Sequence, residues 1–167
     1  MVYGILKDAS PSLIGYFKVD YRGCKVDRKS TSDTCHLLGC PLRSWHSRKQ
    51  PCVALSTIEV EYIGVRNCCA QIFWMKQQLE EFDIFLNNVP LKCDNTSAIN
   101  FTRNPILHCR TKHIEIRHHF LKDHINKGNF INEYVDIKHQ LDDIFTKPLA
   151  RDKFYDLRRD LGILEVP

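Results

Sequence analysis

The order of sequence patterns predicts an α/β domain: a mixed sheet of about five strands, three antiparallel and then two further strands, flanked by helices. Three observations carry this expectation. Period-two alternation and close spacing mark three strands early in the chain. A long apolar stripe at helical spacing follows, opened by a capping box. Short apolar strands then alternate with further helical stretches. At 167 residues the chain is long enough for one domain with a single full core.

The first strand is "LIGYFKVDY". Successive side chains of a strand point to opposite faces, so Leu13, Phe17, Val19 and Tyr21 are expected in the core, and Ile14, Tyr16, Lys18 and Asp20 on the other face. The plainest account of Lys18 and Asp20 is a solvated face with a local ion pair. The second and third strands are expected at Thr34–Gly39 and Leu42–Gln50, with "GCP" turning between them. The long helix starts at Ser56, which forms a capping box with Glu59. Its core stripe is Ile58, Tyr62, Val65, Cys69, Ile72 and Leu79, with Lys76 at the one missing step. A short strand "VPLKCD" and a short helix "NTSAINFTRN", ending before Pro105, come next. A second long helix, "TKHIEIRHHFLKDHINKG", is expected to bury Ile114, Leu121 and Ile125 and to end at Gly128. The strand "FINEYVD" follows. The last helix starts near Leu141, breaks near Pro148, carries the stripe Phe154, Leu157 and Leu161, and stops at Gly162.

Composition excludes several classes. Apolar content of 43% and charged content of 26% are ordinary for a globular protein. No apolar run is long enough to span a membrane and "MVYGILKDAS" has no signal-peptide core, which predicts an intracellular location, cytoplasmic or nuclear. A net charge of +4 permits contact with nucleic acid without demanding it. The eight cysteines include Cys35, Cys68, Cys69 and Cys93 in apolar positions, which predicts buried thiols rather than disulfides. No C-x-x-C occurs, so a zinc finger has little support.

Carboxylates at the ends of elements form the candidate site. Glu61 lies beside the core stripe, where a solvent-facing glutamate is an equally good reading. Asp94 ends a strand and opens a helix, as an N-cap does. Asp143 begins the last helix, where the helix dipole alone would favour it. Together they occupy the positions typical of hydrolases that hold two Mg²⁺ ions about 3.5–4 Å apart.

The motifs "DRKSTS", "SWHSRKQPCVALSTIEVEYI", "CDNTSAI", "NPILHCRTKHIEIRHHFL" and "DIFTKPLARDKF" resemble, in the same order, the ribonuclease H domain of copia-type LTR retrotransposon Pol polyproteins. The resemblance runs from about Gly15 to Gly162. It implies a ribonuclease H-like fold over residues 13–162, preceded at 1–12 by a remnant of the connector from a reverse transcriptase domain and followed by a tail at 163–167. It also implies descent from a longer polyprotein. Such domains hydrolyse the RNA of RNA–DNA hybrids with two Mg (or Mn) ions held by four carboxylates. By motif, catalytic and metal-binding roles fall on Glu61 of "EVEY", Asp94 of "CDN" and Asp143 of "DDIFTK". The first aspartate belongs to a motif resembling "GYSDADWAG", which here reads "GYFKVDYRG" and puts Lys18 at that position.

That exchange turns a charge of −1 into +1 where a bridging ligand is expected. A unit charge pair at 4 Å is worth roughly 4 kcal/mol at an effective dielectric near 20, and a cation beside a divalent ion costs more. Asp20 is at best a weak surrogate, because two residues along a strand is roughly 6.5–7 Å. Asp142, Asp33, Tyr21 and Arg22 also replace residues usual in the family, a pattern expected of a copy no longer held to catalysis. The alternative is a non-catalytic nucleic-acid-binding or interaction module on the same fold.

Between Arg103 and Lys127 lie six Lys or Arg residues and five histidines. Arg110, Lys112, His113 and Arg117 are the candidates for binding nucleic-acid phosphates. A metal site from His108, Cys109 and His113 is the competing reading. The five-residue step from His113 to His118 does not align two ligands on one helix face, and a solvated helix face accounts for some of these residues.

Overall fold

The computed structural model describes residues 11–24, 26–51, 53, 56–96, 99, 123–124 and 127–163. Strand β1 (Leu13–Asp20) is the centre of a five-stranded sheet in the order β3-β2-β1-β4-β5. β2 (Thr31–Leu38) and β3 (Leu42–Lys49) form the expected antiparallel meander, while β4 (Val89–Cys93) and β5 (Phe130–Tyr134) add in parallel on the other side of β1. The sheet is therefore mixed, as predicted. β2 begins three residues before Thr34, because Ser32 and Asp33 pair with β1 and are buried despite their polarity. Alternation of apolar side chains cannot reveal such a start.

Helix α1 (Thr57–Glu80) covers one face. The Ser56 hydroxyl accepts a hydrogen bond from the Glu59 amide at 3.2 Å, which satisfies one of the free donors at the helix start. Tyr62, Val65, Cys69, Ile72 and Leu79 of the predicted stripe are buried, joined by Cys68 and Met75, against Leu13, Phe17, Val89, Leu91 and Phe130 of the sheet. Lys76 completes the stripe: its stem is buried and its ammonium donates to Asn129 Oδ1 at 3.3 Å.

The opposite face is covered over the middle of the sheet. Tyr16, Cys35 and Leu37 pack there against Leu141, Leu157 and Leu161, from the C-terminal segment that holds α2 (Asp143–Thr146) and α3 (Arg151–Asp160). This corrects the expectation for Ile14, Tyr16 and Lys18, which sit under a second layer. The break near Pro148 separates α2 from α3, and Gly162 ends α3 with a φ of +67°. Leu157 and Leu161 are buried as predicted, but Phe154 is 40% exposed and meets Tyr155 edge-on. Cys35, Cys68, Cys69 and Cys93 are buried free thiols. Among the described residues no helix is long and apolar enough to cross a membrane. The predicted helices around residues 96–104 and 111–128 lie almost wholly outside the described residues.

Candidate active site

Two close approaches bring α1 down onto β1. A Cβ at Gly15 would lie 2.5 Å from Ile72 Cδ1 and 2.8 Å from Cys68 Sγ, and one at Gly64 would lie 2.6 Å from Val19 Cγ2. Neither position tolerates a side chain without movement, so helix and strand touch backbone to side chain. Glu61 lies one turn before Gly64 and is carried towards the end of β1. On the other side, the parallel register pairs Tyr16 with Lys92, so one pleat further along Lys18 comes level with Asp94. The third approach is made by α2. Gln140, fully buried, donates to the Phe17 carbonyl at 2.9 Å, and Phe145 stacks on Trp45 of β3 with ring centres 5.1 Å apart. Asp143 is thereby delivered over β1.

Lys18 occupies the meeting point. Its ammonium lies 2.8 Å from Asp94 Oδ2 and 2.7 Å from Asp143 Oδ1, with the lysine side chain 17% exposed. Burial opposes the charge on Lys18, but hydrogen bonds to Asp143 and Asp94 outweigh it and hold its pKa above the usual lysine value. Asp143 is fully buried and also takes Lys153 at 2.8 Å and Lys147 at 3.4 Å. Burial pushes against its ionised form; Lys153 and Lys18 overcome that and keep its carboxyl below the ordinary range. Glu61 accepts from Asn95 Nδ2 at 2.7 Å, yet burial lifts its pKa to about 6.

Two further carboxylates complete the surroundings. Asp33 sits opposite Lys18 in the β1–β2 ladder, and Asp142 precedes Asp143; both are fully buried, and burial raises the pKa of each. Asp20, by contrast, is exposed, and its carboxylate lies over the open Cα of Gly23 in the turn after β1.

The fold thus gathers Asp94 and Asp143 around Lys18, with Glu61 joined through Asn95. Lys147, Lys153 and Asn95 were not singled out from the sequence. The i, i+4 step from Asp143 to Lys147 was the one available signal; Lys153 reaches Asp143 only because the chain folds back after Pro148. Arg110, Lys112, His113 and Arg117, with the alternative set His108 and Cys109, lie outside the described residues. His124 is described and serves packing: its Nδ1 accepts from Asn129 Nδ2 at 2.9 Å and its ring lies 5.0 Å from the Phe73 ring centre. Among the described residues no group of three or more His, Cys, Asp or Glu side chains is arranged to hold a metal ion.

The chain is 36% identical over 157 residues to the retrovirus-related Pol polyprotein from transposon RE2 of Arabidopsis thaliana, a match covering 93% of this chain and 11% of that polyprotein. It is 32% identical over 146 residues to the corresponding polyprotein from transposon TNT 1-94 of Nicotiana tabacum, covering 87% of this chain and 11% of the relative. The chain has a ribonuclease H-like fold and is similar along nearly its whole length to one part of retrovirus-related Pol polyproteins. The N-terminal RNase H domain of a Mycobacterium tuberculosis protein superposes on the domain with a TM-score of 0.56 at 10% identity, covering 90% of this chain and 98% of that one. LC11-RNase H1, solved in complex with RNA/DNA hybrid, gives 0.52 at 8% identity over 77% of this domain and 88% of that chain. At such identities these structures establish the shared fold. No family model matches the chain. The ribonuclease H-like domain spans only a tenth or so, 11%, of the polyproteins it matches.

Proposed function

We propose that this domain engages RNA–DNA hybrid in the manner its ancestry implies and hydrolyses it weakly or not at all. The observation that carries the reading is the Lys18 ammonium seated between Asp94 and Asp143. Glu61, Asp94 and Asp143 are the carboxylates that a two-ion hydrolase of this fold would use, with Mg²⁺ or Mn²⁺ supplying charge neutralisation at the attacking and leaving oxygens. The residues present do not fit that pair of ions. Two of the three carboxylates are already bonded to ammonium groups, and the third is bonded to Asn95. What the chain's own residues offer instead is a cationic edge, since Lys147 is half exposed and Lys153 about one-third exposed beside the same centre. Such groups suit contact with backbone phosphates.

The deciding test is cleavage of a labelled RNA–DNA hybrid in Mg²⁺ by the unaltered domain beside Lys18→Asp. The unaltered domain is expected to leave the hybrid intact. Lys18→Asp is expected to raise the rate by more than the ~10–100-fold that outer-shell partners of a metal site command. Robust cleavage by the unaltered domain would refute the reading.

A further inference from the structure

We infer that Lys18 is a built-in counter-cation, which makes the carboxylate centre a divalent-ion-independent part of the fold and closes it to metal. The inference rests on Lys18 standing at the first carboxylate's position, and it does not depend on hybrid binding.

Three features of the geometry support it. The lysine bridges: one ammonium contacts carboxylates from two different elements, at 2.8 Å and 2.7 Å, and so ties β1 to the end of β4 and the start of α2. The centre is already balanced. Asp94 and Asp143 contribute two negative charges, and Lys18, Lys147 and Lys153 three positive ones, so this bonded set carries +1. With Glu61 ionised the bonded set is neutral, the buried Asp33 and Asp142 beside it not being part of it, and a dication would have to displace ammonium groups already bonded there. Finally, the tie is sheltered. Asp143 is fully buried and Lys18 is 17% exposed, so water replaces a lost partner poorly: removing Lys18 leaves Asp94 without its bonded cation and Asp143 with only Lys153 and Lys147.

The test compares thermal unfolding and direct Mn²⁺ binding for the unaltered domain, Lys18→Ala and Lys18→Arg, each in EDTA, Mg²⁺ and Mn²⁺. The unaltered domain is expected to show the same midpoint in all three and no Mn²⁺ binding by calorimetry. Lys18→Ala is expected to melt on the order of 10 °C lower in EDTA. It should recover about 5–10 °C in Mn²⁺ at roughly 100 times its dissociation constant, because the exposed carboxylates then bind the ion. Lys18→Arg keeps the charge and is expected to remain insensitive to metal. Mn²⁺ binding or metal stabilisation of the unaltered domain overturns the inference, and so does a folded Lys18→Ala that ignores Mn²⁺. If Lys18→Ala does not fold, the unaltered domain and Lys18→Arg still decide it by whether they bind Mn²⁺. Hybrid affinity measured in EDTA separates the two readings: a domain that ignores metal and also fails to bind hybrid retains this inference and loses the proposed function.

Discussion

The Lys18 ammonium sits between Asp94 and Asp143, and its position could be read directly from "GYFKVDYRG". Its partners could be read only in part. Glu61, Asp94 and Asp143 were reachable through their motifs, but the ammonium groups of Lys147 and Lys153 depend on the chain's path after Pro148. His36 shows another property hidden from the sequence. It lies fully buried in β2 with Nε2 3.5 Å from Cys68 Sγ, and burial lowers its pKa to about 4. Between the ordinary value of 6.5 and about 4, the unfolded chain takes up a proton that the folded state refuses. Stability is therefore lost as the pH falls through that window, by up to ~3 kcal/mol from this group. His36→Leu should narrow the gap between urea midpoints measured at pH 7 and pH 4.5; an unchanged gap would show that His36 does not titrate in this way.

At the scale of elements, two glycines set how closely α1 lies on β1, and the residues around them explain why. Gly15→Ala places a methyl against Ile72 and the short, buried Cys68, which cannot swing away. Overpacking of this kind costs about 1–3 kcal/mol, so the denaturation midpoint should fall. Gln140 governs the other layer. Gln140→Leu removes its hydrogen bond to the Phe17 carbonyl and should cost about 1–3 kcal/mol. It should also speed amide exchange in α2 and α3 more than in α1, a difference that hydrogen–deuterium exchange would detect. The core of α1 was legible because its stripe repeats at 3.6 residues and its cap is local. Gln140 was not, because a glutamine in a polar stretch shows nothing of a strand 123 positions away. The early start of β2 stayed hidden for the related reason that Ser32 and Asp33 are buried polar residues.

For the molecule as a whole, the mixed sheet and its flanking helices followed from the order of patterns, whereas the covering of both sheet faces did not. Alternation in β1 reads as one wet face when a polar residue such as Lys18 interrupts it, yet a cation bonded to two carboxylates can lie beneath a layer. If hybrid binding is as proposed, the net charge of +4 and the lysines beside the centre set the salt dependence of its affinity. That affinity should fall steeply between 50 and 200 mM salt and survive EDTA. Lys147→Ala with Lys153→Ala should flatten the salt slope by about 1–2. A salt-independent affinity, or none at low salt, would remove phosphate contact from the account.

The bond from Gln140 to Phe17, and the ion pairs that converge on Lys18, join β1 to segments far along the chain. During synthesis β1, β2 and β3 emerge early, and the loop that must close to complete the centre is among the longest in the molecule. The centre is therefore expected to close late in folding, which pulse-labelled amide exchange during refolding would check. A nascent chain stopped after β5 would hold Lys18 without Asp143, its Tyr16 face bare, and would carry the exposed apolar surface that chaperones and proteases recognise.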